Sequence, residues 1–162
     1  MPSPRTPRVT VLDIERALVY RGGRFETVLD PGQHWVRSKG HQIIKMDMRP
    51  DVFRLVQAVT TSENRPCNLT CVIRVRVSDP RLATESFQNY KTEAFTKLES
   101  VVKKAAGTTR LDELRLHANV FAEQLKTFAG PALAECGCVC LDAELLQVDA
   151  PVDPTEPRWH QH

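Results

Sequence analysis

The sequence holds few residues whose type and spacing could do chemistry, and the densest group is Cys136-Gly137-Cys138-Val139-Cys140. Three thiols in five residues suit a metal site, a redox pair, an oxidation or lipidation site, or simply three small apolar side chains. On a strand, Cys138 and Cys140 share a face about 6–7 Å apart. A disulfide between them would be strained, because Cβ atoms must approach to about 3.8 Å. Unpaired cysteine is among the most buried residue types, so core filling is the first reading, ahead of modification and metal. Ser100-Val101-Val102-Lys103 matches the S-x-x-K string of serine acylases, but the companion strings S-D-N and K-T-G are missing. The histidines, His34, His41, His117, His160 and His162, include no pair at the H-E-x-x-H spacing that sets two imidazoles on one helical face. No G-x-G-x-x-G or Gly-Lys-Ser/Thr string is present to cradle a phosphate. The expectation is therefore no catalytic residue, no cofactor and no metal.

Bulk composition excludes further classes. The chain has 162 residues, 41% hydrophobic, 26% charged and 6% aromatic, with 22 basic and 20 acidic side chains for a net charge of +2. That is an ordinary globular composition for one domain, too balanced in charge for a nucleic-acid binder. Apolar runs stop at about four residues, whereas a membrane-spanning helix needs about twenty. Five cysteines without a secretory signal suggest reduced thiols and a cytoplasmic chain, peripheral at most to the inner face of a membrane. Asn68-Leu69-Thr70 fits the glycosylation pattern but falls inside an expected strand. Six of the eleven prolines lie near the two ends, so residues 1–8 and 151–162 are expected to be flexible tails around a single domain at 9–150.

The elements that must position these residues change period midway. Val9 to Tyr20 reads as a strand ending at Gly22-Gly23, followed by Phe25 to Leu29 and the turn Asp30-Pro31-Gly32. Ile44, Met46 and Met48 alternate with Lys45, Asp47 and Arg49. Cys67, Leu69, Cys71, Ile73, Val75 and Val77 alternate with Asn68, Thr70, Val72, Arg74 and Arg76, the pattern of a half-buried antiparallel strand. Arg74 and Arg76 make a basic stripe on its outer face, either solvated or facing acidic lipid or an acidic partner.

Beyond Pro80 the period becomes helical. Ala94, Leu98, Val101, Val102 and Ala105 form one stripe, which Gly107 should stop as a C′ glycine. Thr109 and Asp112 resemble a capping box for a second helix, whose Leu111, Leu114, Ala118, Phe121, Leu125, Phe128 and Ala132 form an a/d seam. That seam either lies on the sheet or presents Phe121 and Phe128 to a partner. Gly130-Pro131 should kink or interrupt the helix, and a last strand runs from Cys138 to Val148. Strands followed by helices argue for an α+β fold: a curled, mostly antiparallel sheet with two or three helices on one face.

The order of these pieces resembles the SPFH or Band 7 domain, shared by stomatins, prohibitins and flotillins, and is stomatin-like rather than prohibitin-like. The resemblance rests on Glu15 to Phe25, Leu29-Asp30-Pro31-Gly32-Gln33-His34-Trp35, Asp47-Met48-Arg49, and Arg76-Val77-Ser78-Asp79-Pro80-Arg81-Leu82-Ala83. Asn89-Tyr90, Leu111-Asp112-Glu113-Leu114 and Gly137 then follow in sequence. It covers about residues 11–148 and implies no chemistry. It implies a scaffold that self-associates or joins other SPFH subunits, organises membrane complexes and regulates a membrane-bound protease or channel. In that family a hydrophobic N-terminal anchor usually precedes the domain, and in many members a long coiled coil follows it. Here the flanks are Pro-rich, so a soluble interaction module that has lost its anchor is the alternative. Peripheral contact with an anionic membrane through Arg5 and Arg8, worth about 1 kcal/mol per charge, completes the expected interaction set with Arg74, Arg76, Phe121 and Phe128.

Overall fold

The computed structural model describes residues 8–36, 40–86 and 88–151. Arg5, His160, His162 and most of both proline-rich ends lie outside them, as does the segment 37–39.

The strand expected from Val9 to Tyr20 divides into β1 (Arg8–Val11) and β2 (Glu15–Arg21). Between them the Glu15 amide donates to Leu12 O at 2.9 Å, and the Glu15 carboxylate takes the Leu12 N–H at 3.0 Å. Next come β3 (Arg24–Leu29), β4 (Gly32–Trp35), β5 (His41–Asp47), β6 (Asp51–Thr60) and β7 (Pro66–Val77). Four helices follow, α1 (Pro80–Glu85), α2 (Tyr90–Gly107), α3 (Leu111–Leu116) and α4 (Ala118–Ala134), and then β8 (Cys138–Asp149). The fold is α+β with every strand pair antiparallel. Pairing falls into three pieces, β1-β4, β3-β2-β5 and β6-β7-β8, in place of one continuous sheet.

β7 is the strand its alternation implies. Cys67, Leu69, Cys71, Ile73, Val75 and Val77 are each at most 3% exposed. Over this face α2 lies along β6, α4 lies along β8, and the two helices pack on each other. The α2 stripe, Ala94, Leu98, Val101, Val102 and Ala105, is buried as its spacing predicts. β6 escaped the sequence reading. Its outer positions Val52, Val56 and Ala58 are as apolar as inner Leu55 and Val59, which blurs the period-2 contrast.

Several local expectations are corrected. Gly107 is the last helical residue and Thr108 the C-cap, with its hydroxyl donating to Ala105 O at 2.9 Å. Thr109 caps nothing ahead of it; its hydroxyl also donates to Ala105 O at 2.9 Å. The first amide of α3, Leu111 N, is taken by Glu63 Oε1 at 2.7 Å, from the β6–β7 turn 48 residues away. The helix expected from Leu111 to Ala132 breaks at His117 (φ −128°, ψ 51°). Pro131 does not end α4, which runs on to Ala134.

Gly137 closes the helical layer. Its φ is +75°, and a Cβ there would lie 2.5 Å from Asp79 O and 2.9 Å from Ala83 N. Its carbonyl accepts from Ser78 N at 2.8 Å and Asp79 N at 3.0 Å. Only a residue without a side chain permits that approach, which joins the end of β7 to the start of β8.

Candidate interaction surfaces

The helices cover one face of β6-β7-β8; the other face stays open. On β6, Val52 and Val56 are 63% and 64% exposed and flank exposed Arg54. On β7, Arg74 lies opposite Asp142 of β8 and donates to its carboxylate at 3.1 Å, with both side chains about half exposed (48% and 52%). Such an exposed pair contributes little stability, roughly 0–1 kcal/mol, but it neutralises half of the expected basic stripe. Arg76 is exposed and, like Arg54, makes no ion pair among the described residues. β8 answers with Asp142, Glu144 and Asp149, all exposed. The face therefore grades from cationic and aliphatic on β6 to acidic on β8.

The expected aromatic pair of α4 separates. Phe121 is 1% exposed and belongs to the main core, so it is not available to a partner. Phe128 is half-buried, with the Lys104 ammonium 5.1 Å from its ring centroid, a cation–π contact. The buried row is Phe121, Leu125, Ala129 and Leu133, with Ala122 beside it. Steps of four define a ridge that packs against a helix and a sheet, not a coiled-coil seam. The apolar residues exposed nearby are Leu116 (75%) and Val120 (53%). Neither lies on a periodic stripe, so the spacing of apolar residues does not mark them. A cleft of about 360 Å³ between Glu113, His117, Val120 and Gln124 adjoins them.

Arg8 is engaged at the β1-β4 ribbon. It donates to Gln33 Oε1 at 3.0 Å, and its guanidinium sits 4.9 Å from the Trp35 ring centroid. Trp35 is 52% exposed, so Arg8 and Trp35 form one amphipathic spot.

The cysteines resolve as core. Cys67, Cys71, Cys136 and Cys138 are buried and Cys140 is partly so, all five unbridged. Burial pushes the Cys71 thiol to about 12. Burial, with Cys136 and Asp51 adding to it, pushes Cys138 to about 11. Burial also raises Cys67, Cys136 and Cys140. None is thus poised as a thiolate, the form that attacks or binds metal. Among the described residues no group of three His, Cys, Asp or Glu side chains is arranged to hold a metal.

The cleft of about 310 Å³ between Asp47, Arg49, Asp51, Tyr90 and Lys91 is internally neutralised. Asp47 accepts from the Arg49 guanidinium with Oδ1 at 3.0 Å and Oδ2 at 2.6 Å, which lowers its carboxyl to about 2. Lys91 lies 3.5 Å from Asp51. Burial, then Asp51, raises the Tyr90 phenol to about 12.

Comparison with known proteins agrees with the strand-then-helix order. Residues 9–155 match the SPFH domain / Band 7 family. The stomatin homologs of Pyrococcus horikoshii and Pyrococcus abyssi are each 26% identical to this chain over 142 residues, 87% of this chain and 53% of theirs. The chain thus spans about half the length of these curated relatives. With nearly the whole folded region matched, the chain belongs to the SPFH domain / Band 7 family and is stomatin-like.

Proposed function

We propose that this chain is a non-enzymatic SPFH scaffold or adaptor that self-associates and docks to a membrane-associated complex. Membership of the family supports a scaffold role in general. The observation that carries the finer reading is the three-stranded sheet β6-β7-β8, roofed on one side and left open on the other, with Val52, Val56, Arg54 and Arg76 at its surface. Aliphatic side chains beside unpaired guanidiniums suit a protein surface or the headgroups of an anionic membrane. Arg8 beside Trp35 adds a second spot of the same chemistry. A membrane-bound protease or channel, or another SPFH subunit, is the partner class. Among the described residues no helix is long and apolar enough to cross a membrane.

The test is flotation with phosphatidylserine-containing vesicles, alongside light scattering across a concentration range. Comigration with anionic but not neutral vesicles, or a mass above that of one chain, supports the proposal. A monomer indifferent to both lipids at every concentration sinks it. That outcome would favour a soluble partner-binding module working through Leu116, Val120 and their cleft.

A further inference from the structure

The sheet β6-β7-β8 has two edges, and they differ in kind. β8 is guarded. Its pairing with β7 slips at two places, leaving Leu146 and Leu141 as bulged residues, and its outer side carries Asp142, Glu144 and Asp149. Bulges and charges are how natural sheets keep an edge from pairing. β6 has no bulge and a single outward charge. It pairs with β7 in unbroken register over ten residues, Asp51 opposite Val75 through Thr60 opposite Pro66. Its other edge pairs with no strand among the described residues. The outer positions of β6 hold one charge, Arg54, between two exposed valines.

We infer that the free edge of β6 pairs antiparallel with β6 of a second copy of this chain, about a two-fold axis through Val56. The inference rests on the self-association reading and locates it. The outer side of β6 reads Val52, Arg54, Val56, Ala58, Thr60, with β-branched residues at its centre and both ends. Pairing about Val56 sets Val56 against Val56, Val52 against Thr60 and Arg54 against Ala58. On the inner side it sets half-buried Phe53 against Val59. Every outer β-branched residue meets another, an aromatic meets a β-branched side chain, and no like charges oppose; these pairs favour a ladder. Shifting the axis by two residues to Arg54 sets guanidinium against guanidinium. Shifting it to Ala58 carries Arg54 beyond the end of the partner strand. A slip by one residue would set outer side chains opposite inner ones. The contact is isologous and closes at a dimer.

Sedimentation velocity and light scattering of the full chain test it. Val56 is 64% exposed, so V56K and V56E leave the core untouched, and circular dichroism verifies folding. Each variant alone should sediment as a monomer where the unaltered chain is dimeric, with the dissociation constant raised about tenfold or more. An equimolar mixture of V56K and V56E should recover the dimer mass, and L146K on the guarded edge should leave the mass unchanged. V56C should crosslink to itself under mild oxidation. If V56K and V56E keep the unaltered mass, or L146K abolishes it, pairing through β6 is overturned while self-association stands. If the unaltered chain is monomeric throughout, both fall.

Discussion

The sheet β6-β7-β8 and the sheet β3-β2-β5 are both three-stranded and antiparallel, yet they are stabilised differently. The first is roofed by α2 and α4, and one cluster joins residues from Leu55 to Leu145 beneath them. The second has buried Ala17, Leu18 and Val19 on its central strand, outside that cluster. It meets the helical layer through α1, by polar and aromatic contacts. Tyr20 donates to Glu85 at 3.0 Å, and the Arg81 guanidinium stacks 4.1 Å from the Phe25 ring centroid. β7 buries six side chains on one face over twelve residues, whereas β2 buries three consecutive ones over seven, shared between its two faces. Hydrophobic stabilisation scales with the area removed from water, so the first sheet should be the stable unit and the second the first to open.

The comparison is tested hardest at the centre of each sheet. Leu69 and Leu18 are both 0% exposed, so Leu69→Ala should cost about 3–5 kcal/mol, while Leu18→Ala costs nearer 2 kcal/mol at the lower end of the Leu→Ala range. Guanidinium unfolding measures both, and equal losses would mean that the two sheets share one core. Gly137→Ala comes next, at about 3 kcal/mol or more, because it combines a positive φ with a backbone collision. Gly22→Ala, at φ +57° with nothing near its Cβ, should cost only about 1 kcal/mol. Thermal unfolding of the pair separates conformational strain from collision.

Alkali should act mainly on the roofed sheet. Cys71 ionises near 9 when unfolded but at about 12 when folded, and Cys138 at about 11. A folded pKa above the unfolded one means that the folded chain holds its proton longer. The stability contributed is full below pH 9 and is lost as pH rises toward 12. The loss should be on the order of 2–3 kcal/mol per thiol by pH 11, and Cys71→Val should flatten the slope. An unchanged slope in that variant would place the titration elsewhere. A comparably small effect is expected from Glu63→Ala, which removes the acceptor of Leu111 N. It should cost about 1 kcal/mol and speed amide exchange in α3 while β2 exchange stays as it was.

Some of this was legible in the residues alone. Period-2 alternation from Cys67 to Val77 and the stripe from Ala94 to Ala105 each record which side of an element must be dry, and both faces came out as read. The ordered motifs from Glu15 to Gly137 carried the family. The candidate surface was legible in part: Arg74 and Arg76 lie on the outer face, but the carboxylate that neutralises Arg74 is 68 residues away. Phe121 and Phe128 belonged to one apparent seam, and only packing assigned the first to the core and the second to a half-buried contact with Lys104.

The sequence by itself determined the period, and so the kind, of most elements, along with a glycine at position 137 that closes the helical stretch. Tertiary structure alone decided that α4 turns its 121-125-129-133 row inward, that Glu63 caps α3, that position 137 admits no side chain, and that β6 pairs on one edge only among the described residues. The physical reason is range. Periodicity and turn chemistry act between residues a few positions apart, whereas caps, pairing partners and free edges depend on what the rest of the chain brings alongside.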